Sequence, residues 1–240
     1  MTIFRSLLFN LLLWIWTAIA VIGFVPLLLG PARWAVKAQS GWSTGAEWLI
    51  RHVVGITWRE RDRENLPEGP VIVACKHQSV YETIVMQMRL RDPAIVMKRE
   101  LLNIPLYGWY SRRMGMIPID RNASSSAMRQ MLRAAEAAVA QGRPILIFPE
   151  GTRAAPGAPA HYHPGVAGLY RHLKVPVVPV ALNSGLFWGR NTVHKHAGTV
   201  TLQYLPVIEP GLDRRAFMAE MEERIETATA ALLEESGFCG

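Results

Sequence analysis

The chain has 240 residues, 50% of them apolar, and carries 26 Lys plus Arg against 19 Asp plus Glu, a net charge of +7. That length is enough for one catalytic domain with a full core. The basic excess admits nucleic acid, anionic lipid or an anionic substrate as partner, but no Lys/Arg-rich run or recognition motif speaks for nucleic acid.

The apolar excess is concentrated at the start. From Ser6 to Gly30 the only strongly polar residues are Ser6, Asn10 and Thr17, and roughly 20 apolar residues span a bilayer as a helix. A membrane anchor is expected, because no water-facing side of this helix is visible. The alternatives are an apolar core helix and a signal peptide, but Val21 to Leu29 prolongs the run past the cleavage-like Ala18-Ile-Ala20. Pro26 and Gly30-Pro31 bend or stop a helix. A second stretch, Gly41 to Ile56, sets Trp42, Trp48, Leu49, Val53 and Val54 among Glu47, Arg51 and His52. Tryptophan prefers the bilayer interface, so a single span and a two-helix hairpin in one leaflet are both open. Arg33, Lys37 and Arg51 follow the run, against Arg5 before it. That bias sets the rest of the chain on the cytoplasmic side of the inner membrane, facing anionic lipid. Residues 1–55 are therefore expected as a membrane-associated helical segment and residues 56–240 as the catalytic domain.

After this segment, strand and helix patterns alternate. Strands are expected near Ile56–Arg61, Val71–Lys76, Ala94–Lys98, Met116–Asp120, Pro144–Phe148, Val177–Leu182 and Val200–Val207. Several are continuous apolar runs, as strands covered on both faces should be. Helices are expected near Val80–Leu90, Leu101–Tyr110, Ser125–Gln141, Gly165–Leu173 and Arg214–Glu235. The alternation predicts an α/β layered domain, with a largely parallel or mixed central sheet of about seven strands flanked by helices. Ala154–Pro164, rich in Ala, Pro and Gly, suits a loop over a substrate. Cys75 falls on a central strand and Cys239 in the tail, so no disulfide is expected and the compartment is reducing.

The chemistry gathers at two strand ends. His77 follows the second strand at once, and Glu82 comes five residues later. Ser79-x-x-Glu82 reads equally as a capping box. If His77 lies just outside the helix, however, the Glu82 carboxylate can fold back to its ring and stabilise the imidazolium formed when His77 takes a proton. Such a base contributes ~10²–10⁴-fold in rate. Cys75 is read as a packed strand residue. Glu150, Gly151, Thr152 and Arg153 follow the fifth strand. Arg153 can grip a phosphate bidentately, Gly151 lets the backbone turn, Thr152 adds a hydroxyl, and Glu150 can orient Arg153 or a substrate hydroxyl. A surface turn with an Arg–Glu pair is the plain alternative. Lys98 and Arg121 are further basic residues at strand ends. Ligands collect at the carboxyl ends of parallel strands, so parallel second and fifth strands would open both clusters on one rim. His161-x-His163 and His194-x-His196 lack Cys or carboxylate partners at metal-site spacings, and no metal is expected.

These blocks, in this order, resemble the glycerolipid acyltransferase family, and within it the 1-acylglycerol-3-phosphate acyltransferases. His77-x4-Glu82 resembles the family's His-x4-Asp block, and Gly115-Met-Ile-Pro-Ile-Asp-Arg121 its second. Phe148-Pro-Glu-Gly-Thr-Arg153 resembles the third and Val175-Pro-Val-Val-Pro179 the fourth. Lys98-Arg-Glu-Leu101 is similar to a segment between the first two. The resemblance implies that the hydroxyl of a lysophosphatidic acid attacks an acyl thioester carried by coenzyme A or acyl carrier protein, giving phosphatidic acid. It implies His77 as general base, Glu82 as its orienting acid, and Arg153 with Lys98 and Arg121 as phosphate holders. The fourth block is expected to shape the acyl or thioester site, with no cofactor and no acyl-enzyme. The chain departs from the family in having Glu82 in place of Asp, and His163 where a Lys often stands. Another lysolipid, such as a lyso-ornithine lipid, remains an alternative acceptor, and thioester hydrolysis an alternative reaction.

Overall fold

The sheet is built from short apolar runs: β1 (Ile56–Arg61), β2 (Ile72–Cys75), β3 (Ala94–Lys98), β4 (Ile117–Ile119), β5 (Ile145–Ile147), β6 (Val177–Leu182) and β7 (Gly198–Tyr204). They form one seven-stranded sheet in the order β1-β7-β6-β2-β5-β3-β4. Strands β4, β3, β5, β2 and β6 run parallel, β7 runs antiparallel to β6, and β1 runs parallel to β7. This is the mixed α/β sheet the alternation predicts. The structure is a computed structural model that describes residues 2–120, 125–159 and 161–238.

Both faces of the central strands are covered, which explains their lack of polar alternation. In β2, Val73 and Cys75 point into one layer with α3 (Tyr81–Arg89) and the N-terminal helices, while Ile72 and Ala74 point into the other. That second layer holds α5 (Ser125–Ala140), α6 (Gly165–Leu173) and α7 (Arg214–Glu235). Register pairs Ile72 with both Ile145 and Val177, so β2, β5 and β6 end at one level. That shared end is where His77 and the Glu150–Arg153 turn emerge.

Two helical expectations need correction. The helix expected over Leu101–Tyr110 is a 3-10 turn (Arg99–Asn103), followed by α4 (Tyr107–Arg113). Pro105 cannot continue a helix, and Leu106 takes φ 62°, a costly conformation for a large side chain. A Cβ on Gly108 would stand 2.0 Å from the Leu102 carbonyl oxygen, so this bend needs glycine. The second N-terminal helix also begins earlier than the Gly41–Ile56 stretch: α2 spans Ala32–Leu49, started by Pro31.

The N-terminal helix α1 (Thr2–Gly23) is long and apolar enough to cross a membrane. It folds back on α2 through a Val25–Leu29 3-10 turn. Trp16 packs where a Cβ on Gly45 would be, 2.3 Å from its indole, so the two helices approach closely. The three polar residues of the apolar run are all bonded. Ser6 Oγ accepts from the Lys195 backbone N–H (3.0 Å), Asn10 Oδ1 from Lys195 Nζ (2.8 Å), and Thr17 Oγ1 from Trp42 Nε1 (3.1 Å). Phe9 is fully buried, edge-on to Trp188 at 5.3 Å. One face of α1 therefore shares the domain core, whereas Phe4, Leu7, Leu11, Trp14, Ile15 and Ile22 face outward.

Candidate active site

The chain leaves β2 at Cys75 and runs through Lys76-His-Gln-Ser79 into α3. His77 Nδ1 lies 2.8 Å from Glu82 Oε1. The same oxygen accepts the backbone N–H groups of Gln78 (2.7 Å) and Ser79 (2.6 Å), while Oε2 accepts the Ser184 hydroxyl (2.8 Å). The Ser79 N–H bond and Tyr81 N–H donating to Ser79 Oγ (3.1 Å) are capping contacts. The cap and the histidine pair are thus one arrangement: a fully buried carboxylate closes the helix start and holds the ring. An ionised carboxylate only accepts hydrogen bonds. Paired with such a carboxylate, a neutral His77 ring donates through Nδ1 and has Nε2 as its acceptor nitrogen. The imidazole stacks on Phe148, with centroids 4.3 Å apart, and its side chain is 14% exposed, on the wall of a cavity.

The second cluster meets the first through the backbone. Gly151 N–H donates to Phe148 O (2.9 Å), closing a turn with Pro149 at its first corner and Gly151 at φ 65°. Ala154 N–H donates to the His77 carbonyl (2.8 Å). The Glu-Gly-Thr-Arg turn therefore lies beside His77 on one rim.

Its side chains divide. Glu150 turns inward and meets neither Arg153 nor open space: Oε2 accepts the His77 backbone N–H (2.6 Å), and Oε1 forms an ion pair with Lys76 Nζ at 3.0 Å. Lys76 is 2% exposed and donates to Glu226 Oε1 (2.5 Å), which also accepts the Tyr162 hydroxyl (2.6 Å). Burial raises the Glu150 carboxyl to about 7, against the pull of the Lys76 ammonium and the His77 N–H. Its geometry is that of a clamp on the His77 loop, not of a phosphate or hydroxyl ligand. Arg153 is partly exposed and does not line the cavity; its Nη2 lies 3.2 Å from Asn191 Oδ1 and its carbonyl accepts from Arg190 (3.1 Å). Thr152 is exposed. Lys98 and Gly151 line the cavity with His77. Arg121 lies outside the described residues.

That cavity, of about 690 Å³, sits at the carboxyl ends of β3, β4 and β5, where open parallel sheets take ligands. Its walls are largely apolar, with Ile95, Met97, Leu101, Met114, Met116 and Met128 among them. His163 lines it too, its backbone N–H bonded to Pro149 O (2.8 Å). A second space of about 280 Å³ between α1, α2, α3 and α4 shares Gln39, Thr83, Gln87 and Tyr107 with the first. The Val175–Pro179 block lines neither. Its Val177–Pro179 part is core strand β6 beside β2, and Ser184, beyond the end of that strand, supplies the hydroxyl that Glu82 accepts. Cys75 is wholly buried, and burial next to Glu82 and Glu150 pushes its thiol well up, as expected of a packing residue. His161 and His163 meet edge to face at 5.2 Å, and no group of three or more metal-ligating side chains converges among the described residues.

Sequence reasoning passed over Lys76, Glu226, Tyr162 and Ser184. Lys76 carried a signal: a lysine closing a run of buried strand residues must find a carboxylate. Glu226 carried none, since 150 positions separate it from Lys76.

Fold and site together give an α/β domain with a histidine–carboxylate pair on the wall of a largely apolar cavity. The comparisons give the class its name: the chain belongs to the acyltransferase family, whose model matches residues 57–183. It is 32% identical over 235 residues to the 1-acyl-sn-glycerol-3-phosphate acyltransferase of Pseudomonas aeruginosa, covering 96% of this chain and 91% of that one. It is 30% identical to the human 1-acyl-sn-glycerol-3-phosphate acyltransferase beta over 167 residues, 67% of this chain and 60% of the human one. The crystal structure of the 1-acyl-sn-glycerophosphate acyltransferase PlsC from Thermotoga maritima has the same fold, with TM-score 0.77 at 20% identity over 100% of both chains.

Proposed function

We propose that this acyltransferase transfers an acyl chain from coenzyme A or acyl carrier protein to the sn-2 hydroxyl of 1-acylglycerol-3-phosphate, at the cytoplasmic face of the inner membrane. The observation that carries the reading is the His77–Glu82 pair on the wall of an apolar cavity that Lys98 also lines. His77 Nε2 takes the hydroxyl proton as the oxygen attacks the thioester carbonyl. The C–S bond breaks as the ester forms, and the departing thiolate receives that proton. Glu82 stabilises the transient imidazolium, and its four donors hold it in place. Lys98 in the cavity and Arg153, two residues beyond the cavity-lining Gly151, meet the phosphate. The apolar walls accept acyl chain. The relatives named for this reaction support the acceptor. The outward face of α1 supports a helix lying in one leaflet, since its other face is bonded to the domain.

The test is a panel of lysolipid acceptors, including lysophosphatidic acid and a lyso-ornithine lipid, with labelled acyl-CoA and acyl-carrier-protein donors. Transfer should be fastest to lysophosphatidic acid, and Arg153→Ala should raise its KM more than it lowers kcat. Thiol release that ignores the acceptor would make the protein a hydrolase.

A further inference from the structure

Among the described residues beyond position 48, large apolar side chains are exposed at Ile104, Tyr107, Trp109 and Val193 alone. Three of these four fall within six residues, across the strained bend at Leu106 and the first turn of α4. The bend is held in place: Leu106 at φ 62° packs, like Phe24, Leu27 and Val36, against the buried cluster of Ala35, Ala38, Tyr110 and Met114, and Arg113 donates to the Gly30 carbonyl. A segment so fixed could have turned its aromatic side chains inward, yet Trp109 is 58% exposed. Exposed apolar clusters of this kind mark contact surfaces.

We propose that Ile104–Trp109 is a second membrane-inserting arm, seated in the same leaflet as α1 and forming the wall through which lipid enters the cavity. This rests on the proposed function at a membrane. Two features argue for an anionic bilayer as the occupant. The first is continuity: α4 packs on the 3-10 turn and α2 that carry the apolar α1, and Trp34 and Leu29 are exposed nearby in sequence. The second is charge. Lys98, Arg99, Arg112 and Arg113 flank the arm and are exposed, with Glu100 the acid among them. Residues 1–46 contain no acid, while Arg33 and Lys37 are exposed on α2. Aromatic side chains at the headgroup level, with basic residues around them, are the composition of an interfacial anchor. The arm also touches the site: Tyr107 lines both apolar spaces, and Lys98 and Leu101, just upstream, line the larger one. A lysolipid entering here moves from leaflet to cavity without passing its chain through water.

Depth measurement tests this. Full-length protein with C239S and W109C is labelled at position 109 with an environment-sensitive fluorophore; Cys75 is buried. The label is read with phosphatidylglycerol/phosphatidylcholine vesicles, with and without a quencher in the lipid chains. The label should shift to the blue and be quenched from within the bilayer, while the same label at Glu223→Cys on α7 should do neither. A water-like label at 109, while co-sedimentation shows the protein bound, overturns the proposal. In a second arm, Ile104→Ser with Trp109→Ser should raise KM for vesicle-borne lysophosphatidic acid about tenfold. Its kcat, its melting temperature and its transfer to a monomeric short-chain acceptor should stay unchanged. Equal losses on both acceptors overturn the entry role. If the parent enzyme acylates no lysophosphatidic acid, the function proposal fails, and the depth reading still decides the membrane contact.

Discussion

Glu82 shows how one residue serves two purposes. Its carboxylate satisfies two backbone N–H groups at the start of α3, one serine hydroxyl and the His77 ring. His77→Ala should remove the base and lower kcat by at least about 10²-fold, with an unchanged circular dichroism spectrum; near-normal turnover would remove His77 from the chemistry. Ser184→Ala deletes one charge-assisted bond, worth about 1.5–3 kcal/mol. A loss of kcat with KM unchanged is the expected result, and a change in KM alone would speak against a positioning role. Glu150 gives a pH signature. Its carboxyl holds its proton to about 7, against 4.5 for an ordinary glutamate. Folding takes up a proton between those values, so this contribution is complete below the lower one and is lost as pH rises through the upper. The loss is about 3 kcal/mol. Melting temperature should therefore fall from pH 5 to 8 more steeply in the parent than in Glu150→Gln, and parallel curves would contradict the assignment.

At the scale of elements, α1 is the informative case. Its composition alone is that of a membrane span, but Ser6, Asn10 and Thr17 each meet a partner on the domain or on α2. Lys195, half of whose pairing depends on Asn10, is buried among Phe9 and Trp188, and burial lowers its ammonium to about 8. The helix is thus part of the domain's core. Phe9→Ala should destabilise the whole protein by about 3–5 kcal/mol, measured by denaturant unfolding in detergent. A change under about 1 kcal/mol would mean that α1 is an independent anchor. α4 is the opposite case: periodicity suggested a longer helix, and Pro105 and the Leu106 conformation broke it.

For the molecule as a whole, the basic excess and the apolar face of α1 predict binding to anionic vesicles that weakens as salt rises from 0.05 to 0.5 M, a span over which the Debye length falls severalfold. Retention in high salt would come from α1 and the 104–109 segment, and equal binding to neutral vesicles would remove the electrostatic part. Alternating apolar runs made the seven strands and their layering legible, because local hydrophobic patterning is a property of neighbours in sequence. The spacing of His77 and Glu82, and the turn chemistry of Pro149 and Gly151, were local in the same way. Tertiary structure alone decided the partners of buried charge. Glu150 could have paired with Arg153 three residues away, but the parallel register of β2 and β5 brings Lys76 and the His77 N–H to it, and α7 supplies Glu226 from far along the chain. A desolvated carboxylate takes whichever donors the packed fold brings within hydrogen-bond reach, and that geometry is written in no short stretch of residues.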